Sequence, residues 1–261
     1  IGEIHNPSVG VYMATEWREK PVEESIKLIQ EAVAAYDLNA LKIKIGGLMF
    51  MTTDMNAVGP PGRTERMIPL VRKTFGDNFA IYADANGSYD VPMAVKIGRL
   101  MEEHKLGFLE EPVPFDYYEE TKKIADTLTI PIALGEEEMS LRQFRWIIER
   151  DVAQVIQPDL LYFGGLIRSM KVARMAAVAG KDCTPHMSGG GLGYLYIAHF
   201  ASVVQNCGAH QEYKGEEDTL PVSSDSSSLK SEKGMLKVPT GPGLGVAIDQ
   251  AFIAKSTVVT A

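Results

Sequence analysis

Short apolar runs recur along the chain at a nearly constant interval, and each ends on a residue that can carry charge. The clearest is Phe-Ala-Ile-Tyr-Ala-Asp-Ala-Asn-Gly-Ser-Tyr-Asp over residues 79–90, a buried-strand pattern that stops at Asp84. Others stop at Glu110, Glu136, Asp159, His186 and Glu212. The steps between these positions are 26, 26, 23, 27 and 26 residues. Such an interval holds one strand, one helix and two loops, so the spacing predicts consecutive βα units. A reactive residue at the C-terminal end of each strand is what an active site at the mouth of a TIM-type α/β barrel requires.

Between the apolar runs the period becomes helical. After a first strand, Val9 to Ala14, Pro21 opens a helix with Val22, Ile26, Ile29 and Val33 on one face. Glu23 and Glu24 occupy its first turn, where the helix dipole favours them. The second strand, Leu38 to Ile45, puts Lys42 and Lys44 on one face and Leu41, Ile43 and Ile45 on the other. With the apolar face against helices, both ammonium groups point inward and need carboxylate acceptors. Further helices are expected over 63–75 and from Asp90 with a stripe of Met93, Ile97, Leu100 and Met101. Others follow a capping-box-like start at Asp116 and Glu119, a Ser140 cap, and Asp159, where Leu166, Met170, Ala173 and Ala177 form the stripe.

Three stretches depart from the repeat. Residues 46–62 make a Met-rich connection longer than an ordinary βα loop, either a wall of the site or a surface excursion. The strand from Lys181 to His186 leads through Gly189, Gly190 and Gly191, which permit close ligand approach or unusual dihedrals, into an apolar helix reaching about Val204. Beyond Glu212 the repeat stops. Residues 213–240 show neither helical nor strand period, and Leu229, Leu236, Val238 and Leu244 need a surface to cover.

The 261 residues, 45% of them hydrophobic, suit one large core. A formal charge of −8 with acidic residues spread along the chain argues against nucleic acid and for a cation or small molecule as partner. Cys183 and Cys207 cannot make a disulfide framework in a chain this long and are expected reduced and buried, in a cytoplasmic protein. No apolar stretch approaches the roughly 18 residues of a membrane span, and no signal-peptide pattern opens the chain. The first residue is Ile rather than Met, so a longer polypeptide is expected.

Asp84, Glu110 and Glu136 fall on three adjacent strand ends. Like charges that close repel unless a cation lies between them, and an all-oxygen site suits Mg²⁺ or a similar hard ion. Lys44 on the second strand and His186 near the seventh flank that site from two sides. Asp159, one strand before His186, is placed to bond one imidazole nitrogen and fix its tautomer.

The ordered set Lys-x-Lys, Asp-x-Asn, Glu-Glu-Pro, Gly-Glu, Pro-Asp and His resembles the mandelate racemase subgroup of the enolase superfamily, from about residue 9 to the end. The resemblance implies a modified (β/α)7β barrel with Asp84, Glu110 and Glu136 as Mg²⁺ ligands. Lys44 becomes an acid/base, Lys42 its cationic neighbour, Asp159 and His186 a dyad on the opposite face, and Glu212 a partner of the substrate carboxylate. Where two acidic residues adjoin, the family pattern selects Glu110 over Glu111 and Glu136 over Glu137. The implied chemistry is removal of the proton α to a carboxylate through an enediolate, with Mg²⁺ supplying charge where charge develops. Lys42 would lower the pKa of Lys44, and His186 would return a proton or protonate a leaving β-hydroxyl.

The Pro-Asp-Leu-Leu-Tyr-Phe-Gly-Gly-Leu-Ile-Arg-Ser and Thr-Pro-His-Met-Ser-Gly-Gly-Gly segments look like those of acid-sugar dehydratases. Dehydration of a sugar acid to a 2-keto-3-deoxy acid is therefore expected. Racemisation or epimerisation of a 2-hydroxy acid, or a catalytically incomplete metal-binding barrel, is the alternative; a metal-dependent hydrolase fits less well because His-x-His spacing is absent. Family members carry an N-terminal capping domain before the barrel, and these residues, which open almost at once on the first strand, are expected to be part of a longer polypeptide. Residues 1–8 are accordingly read as a linker from that domain, 9–215 as the barrel, and 216–261 as a segment packing across the barrel or toward the cap. The expected partners are a small-molecule carboxylate substrate and further copies of the chain in a homo-oligomer, with no nucleic acid and no membrane.

Overall fold

A computed structural model describes residues 2–15, 17–47, 59–187, 191–213 and 220–255. Alternation along β2 (Ala40–Lys44) shows how the layers form. Leu41 and Ile43, with Ile45 just beyond, are buried in one cluster with Val22, Ile26 and Ile29 of α1 (Val22–Ala35) and Met67, Ile68 and Val71 of α2 (Arg63–Phe75). Ala40 belongs to a separate cluster with Tyr12, Ala14, Phe108, Ala133 and Val155, which is the barrel interior. Each strand thus has one face toward helices and one toward the centre.

The chain begins with β1 (Ser8–Ala14), α1, β2 and α2 and continues with β3 (Ala80–Asp84), α3 (Val91–Glu103), β4 (Leu109–Glu110) and α4 (Tyr118–Thr127). Then come β5 (Ile132–Leu134), α5 (Leu141–Glu149), β6 (Val155–Ile156), α6 (Leu166–Val178), β7 (Asp182–Cys183), α7 (Gly193–Val203) and β8 (Gln211–Tyr213). All eight strands are parallel, in the order β8-β1-β2-β3-β4-β5-β6-β7. This is the expected (β/α)7β arrangement. Among the described residues no ladder joins β7 to β8. Instead the Cys183 N–H donates to the Asn206 carbonyl at 2.8 Å, and the Met187 N–H donates to Glu212 Oε2 at 2.9 Å.

Residues 213–240 carry no helical or strand period, yet among the described residues the tail holds regular structure. It forms β9 (Val222–Ser223), β10 (Ser231–Glu232), β11 (Met235–Lys237), β12 (Ala247–Ile248) and the short α8 (Gln250–Ala254). β11 runs antiparallel to the first residues of β1, and Leu229, Leu236 and Val238 are buried with Val9, Val11 and Leu38. Strands of two or three residues are too short to show a period; pairing with β1 creates them.

Other differences have local causes. Asp90 and Ser140 cap α3 and α5 by accepting from the Met93 and Arg142 N–H groups, but α4 starts after Tyr117 without a side-chain cap, so Asp116 is not one. On α3 the buried stripe is Ala94, Ile97, Gly98 and Met101, with Met93 exposed; α6 buries Ser169, Met170, Val172, Ala173 and Ala176 and leaves Ala177 outside. Both cysteines are free, Cys183 buried and Cys207 half-buried. Residues 48–58 of the long connection, and Gly189 and Gly190, lie outside the described residues. No helix among the described residues is long and apolar enough to cross a membrane.

Gly10 is required for the closeness of β1 and the approach to β8. A Cβ there would stand 2.3 Å from the Ala209 carbonyl oxygen, a backbone atom that cannot swing aside. Gly10→Ala is expected to destabilise the fold by about 1–3 kcal/mol, the usual range for overpacking, read as a lower midpoint in urea unfolding. An unchanged midpoint would contradict the close packing.

Candidate active site

The site forms where the inward-facing series on each strand runs out. Ala40, Lys42 and Lys44 on β2, Ala80, Tyr82 and Asp84 on β3, and Phe108 and Glu110 at β4 pass in steps of two from apolar to charged. The floor is aromatic: the Tyr82 ring stacks on Phe108 with centroids 4.2 Å apart, and its hydroxyl meets His210 Nδ1 at 2.9 Å. On β5 the alternation has to break. Ala133 faces the interior, so strict alternation would turn Glu136 outward. Gly135 takes φ +134°, which side chains rarely allow, and Glu136 arrives beside Asp84 and Glu110.

One oxygen each of Asp84, Glu110 and Glu136 lies within 4.8 Å of the others, and all three residues are buried. Lys42 Nζ donates to Glu110 Oε1 at 2.6 Å and lies 3.8 Å from Asp84 Oδ2 and 3.9 Å from Glu212 Oε1. Lys44 Nζ donates to Asp84 Oδ2 at 2.5 Å and to Asn86 Oδ1 at 2.7 Å. Glu136 Oε1 accepts from Asn86 Nδ2 at 3.4 Å, whereas its Oε2 is buried and accepts no hydrogen bond.

At the other end stands the imidazole. His186 Nδ1 and Asp159 Oδ2 are 2.8 Å apart, and His186 Nε2 lies 3.4 Å from Glu136 Oε2 and 3.7 Å from Glu212 Oε2. Asp159 Oδ1 accepts from the Leu161 and Tyr162 N–H groups, each at 2.7 Å, so the carboxylate is fixed before it meets the ring. The structure therefore brings Lys42, Lys44, Asp84, Glu110, Glu136, Asp159, His186 and Glu212 into one cluster, with Glu212 inside β8 rather than beyond its end.

Two further side chains belong to the cluster. Gln157 Nε2 donates to Glu110 Oε2 at 2.9 Å, and Asn86, held by Arg18 at 3.0 Å, links Lys44 to Glu136. Each lies two positions from a residue that the sequence did single out, Gln157 before Asp159 and Asn86 after Asp84. That spacing was the available signal.

The charges adjust to one another. Burial alone would raise the Asp84 carboxyl, but the Lys44 and Lys42 ammonium groups hold it well below the usual carboxylate range. Burial pushes Glu110 up to about 8, with Lys42 opposing and Asp84, Glu136 and Glu212 adding to the rise. Glu136 goes to about 7 through burial, which His186 opposes and Glu137 and Asp84 reinforce. Burial disfavours protonated His186, yet the charges of Glu136 and Glu212 and the bond to Asp159 raise it to about 10. Lys42 is likewise held well above its ordinary value, burial being outweighed by Glu110 and Glu212. This all-oxygen donor set can hold a hard divalent cation, with a fixed ammonium and an imidazolium beside it.

Known proteins are similar to this chain in sequence and fold. The family described as Enolase C-terminal domain-like matches residues 24–252. The chain is 30% identical over 181 residues to the arabinonate dehydratase of Saccharolobus solfataricus, a match covering 69% of this chain and 48% of that protein. It is 29% identical over 188 residues to the D-galactonate dehydratase of Ralstonia nicotianae, covering 70% and 49%. The chain thus spans about half the length of the curated relatives it matches. A crystal structure from Roseobacter denitrificans, 27% identical, superposes with a TM-score of 0.86 over 96% of this chain and 68% of that one. A racemase from Streptomyces coelicolor A3(2) with bound magnesium has the same fold at 22% identity, with a TM-score of 0.79 over 97% and 64%.

The raised groups make a pH prediction for the protein without a cation. Glu110 and Glu136, titrating at about 8 and about 7, and His186, at about 10, all hold protons more tightly folded than unfolded. Their contribution is present below the unfolded values and is lost as pH rises through the folded ones. Between about pH 7 and about pH 9 the thermal midpoint in chelator is expected to fall by several degrees. A midpoint that stays level or rises would contradict the electrostatics described.

Proposed function

Because the chain belongs to the Enolase C-terminal domain-like family, in its mandelate racemase branch, we propose that it removes the α-proton of a carboxylate substrate with the help of Mg²⁺ and dehydrates a sugar acid to a 2-keto-3-deoxy acid. The observation that carries this reading is the placing of Lys44 and His186 at opposite ends of the carboxylate row, Lys44 on Asp84 and His186 beside Glu136. Asp84, Glu110 and Glu136 would hold the ion, and the buried Glu136 Oε2, which accepts no hydrogen bond, fits that role. Bound there, Mg²⁺ supplies positive charge against the negative charge that develops on the substrate carboxylate.

The protein groups divide the proton work. Lys44, as the neutral amine, takes the α-proton, with the Lys42 ammonium, kept charged by Glu110, as its cationic neighbour. His186 is the acid. As imidazolium, oriented by Asp159, it gives its proton to the departing β-hydroxyl, which leaves as water, and the resulting enol becomes the 2-keto acid. Glu212 and the Lys42 charge beside it orient the substrate carboxylate end. The named relatives act on arabinonate and D-galactonate, which supports a sugar acid as substrate. With a substrate lacking a β-hydroxyl, the same two-sided pair supports racemisation or epimerisation at the α-carbon.

The test is a panel of sugar acids with Mg²⁺, read as 2-keto-3-deoxy acid formed and as α-proton exchange in D₂O. His186→Asn is expected to lower dehydration about 10²- to 10⁴-fold, the usual worth of a general acid, while Lys44-dependent exchange persists. Full dehydration by His186→Asn would remove that residue from the mechanism. Asp84→Asn is expected to weaken Mg²⁺ binding in calorimetry; unchanged affinity would refute its assignment as a ligand.

A further inference from the structure

Next to the row that includes Asp84 lies a second trio of carboxylates for which the proposed reaction has no use. One oxygen each of Glu111, Glu136 and Glu137 lies within 4.8 Å of the others. Glu111 is fully buried, yet neither Oε1 nor Oε2 accepts a hydrogen bond, and Oε2 of the half-buried Glu137 is equally unmet. Among the described residues no lysine, arginine or histidine forms an ion pair with Glu111 or Glu137; Lys42 and Lys44 are engaged by Glu110 and Asp84, and His186 by Asp159 and, within the trio, by Glu136 alone. The backbone that presents Glu111 is held, its N–H donating to the Ala133 carbonyl at 3.1 Å and its carbonyl accepting from Gly87 at 2.7 Å.

Carboxylate oxygens removed from water with no donor, as both of Glu111 and Oε2 of Glu137 are, are strongly destabilising, and with Glu136 beside them the three carboxyls repel unless a positive species lies between them. We propose that Glu111, Glu136 and Glu137 form a second cation site, taking a hard divalent ion such as Mg²⁺ or Mn²⁺ beside the first site and sharing Glu136 with it. Both Glu111 oxygens are available to the ion, Glu137 adds another, and the partial exposure of Glu137 leaves room for the waters that such ions retain. A carboxylate common to two ions is the arrangement of two-metal sites. This inference takes the first ion from the functional reading above, whereas the second rests on Glu111 and Glu137 and needs no dehydration step.

Mn²⁺ is the probe, titrated into the metal-free chain with stoichiometry followed by calorimetry and pairing by electron paramagnetic resonance. Two ions per chain are expected, with a spectrum of magnetically coupled Mn²⁺. Glu111→Gln and Glu137→Gln should each reduce the count to one uncoupled ion, whereas Asp84→Asn should weaken the first ion and leave the second. Thermal unfolding of each variant shows whether it folds; should Glu111→Gln fail to fold, the less buried Glu137→Gln decides. A single ion per chain in the unaltered protein, or two ions unaffected by Glu137→Gln, would overturn the proposal. Activity enters neither outcome, so this result is separable from failure of the sugar-acid assay.

Discussion

Carboxylates crowded into a space with little water cannot all be charged unless cations share that space. Asp84, Glu110, Glu111, Glu136, Asp159 and Glu212 are all buried, and the arrangement of the barrel mouth follows from meeting that constraint. The strand that bears two inward lysines lies next to the strand ending in Asp84, which lies next to the one ending in Glu110. Lys42, almost without exposure, reaches past β3 to Glu110, and Lys44 settles on Asp84. A buried pair of this kind adds little net stability, but breaking one partner leaves a naked charge. The lysines therefore fix where the carboxylates stand more than they hold the chain together.

Much of this could be read from residue order. Strand ends spaced by about one βα unit gave the barrel, and the inward placing of Lys42 and Lys44 follows from alternation alone. The helix at Arg63–Phe75 begins and ends as expected because Gly62 and Gly76 bracket it with positive φ. What escaped was set by distant partners. Gln157 gains its meaning from Glu110, 47 residues earlier, and β11 exists because β1 offers it an edge. The start of α4 escaped for another reason: Asp116, Glu119 and Glu120 lie close together, and which acidic group caps cannot be told from spacing when none does.

Gly135 shows how a single backbone angle decides a site. Alternation is rigid along a strand, so the inward-facing set on β5 would not include Glu136. A residue at φ +134° resets the count, and the substituent it would carry has no room, since a Cβ there would lie 2.8 Å from the Phe144 ring. The third carboxylate of the row is thus present because the preceding residue has no side chain.

The junction between β7 and β8 differs in kind from the other seams of the wall. Elsewhere neighbouring strands are fastened by ladders of peptide groups, with the neutral side chains of Thr15 and Gln154 adding one bond each. Here a carboxylate is one of the fasteners: Glu212 receives the Met187 N–H, one residue past His186, while its other oxygen lies near Lys42. A guest that draws on the charge of Glu212 therefore pulls on the stitch that aligns the His186 segment with the rest of the wall. At this seam one side chain serves both the charge of the mouth and the closure of the wall.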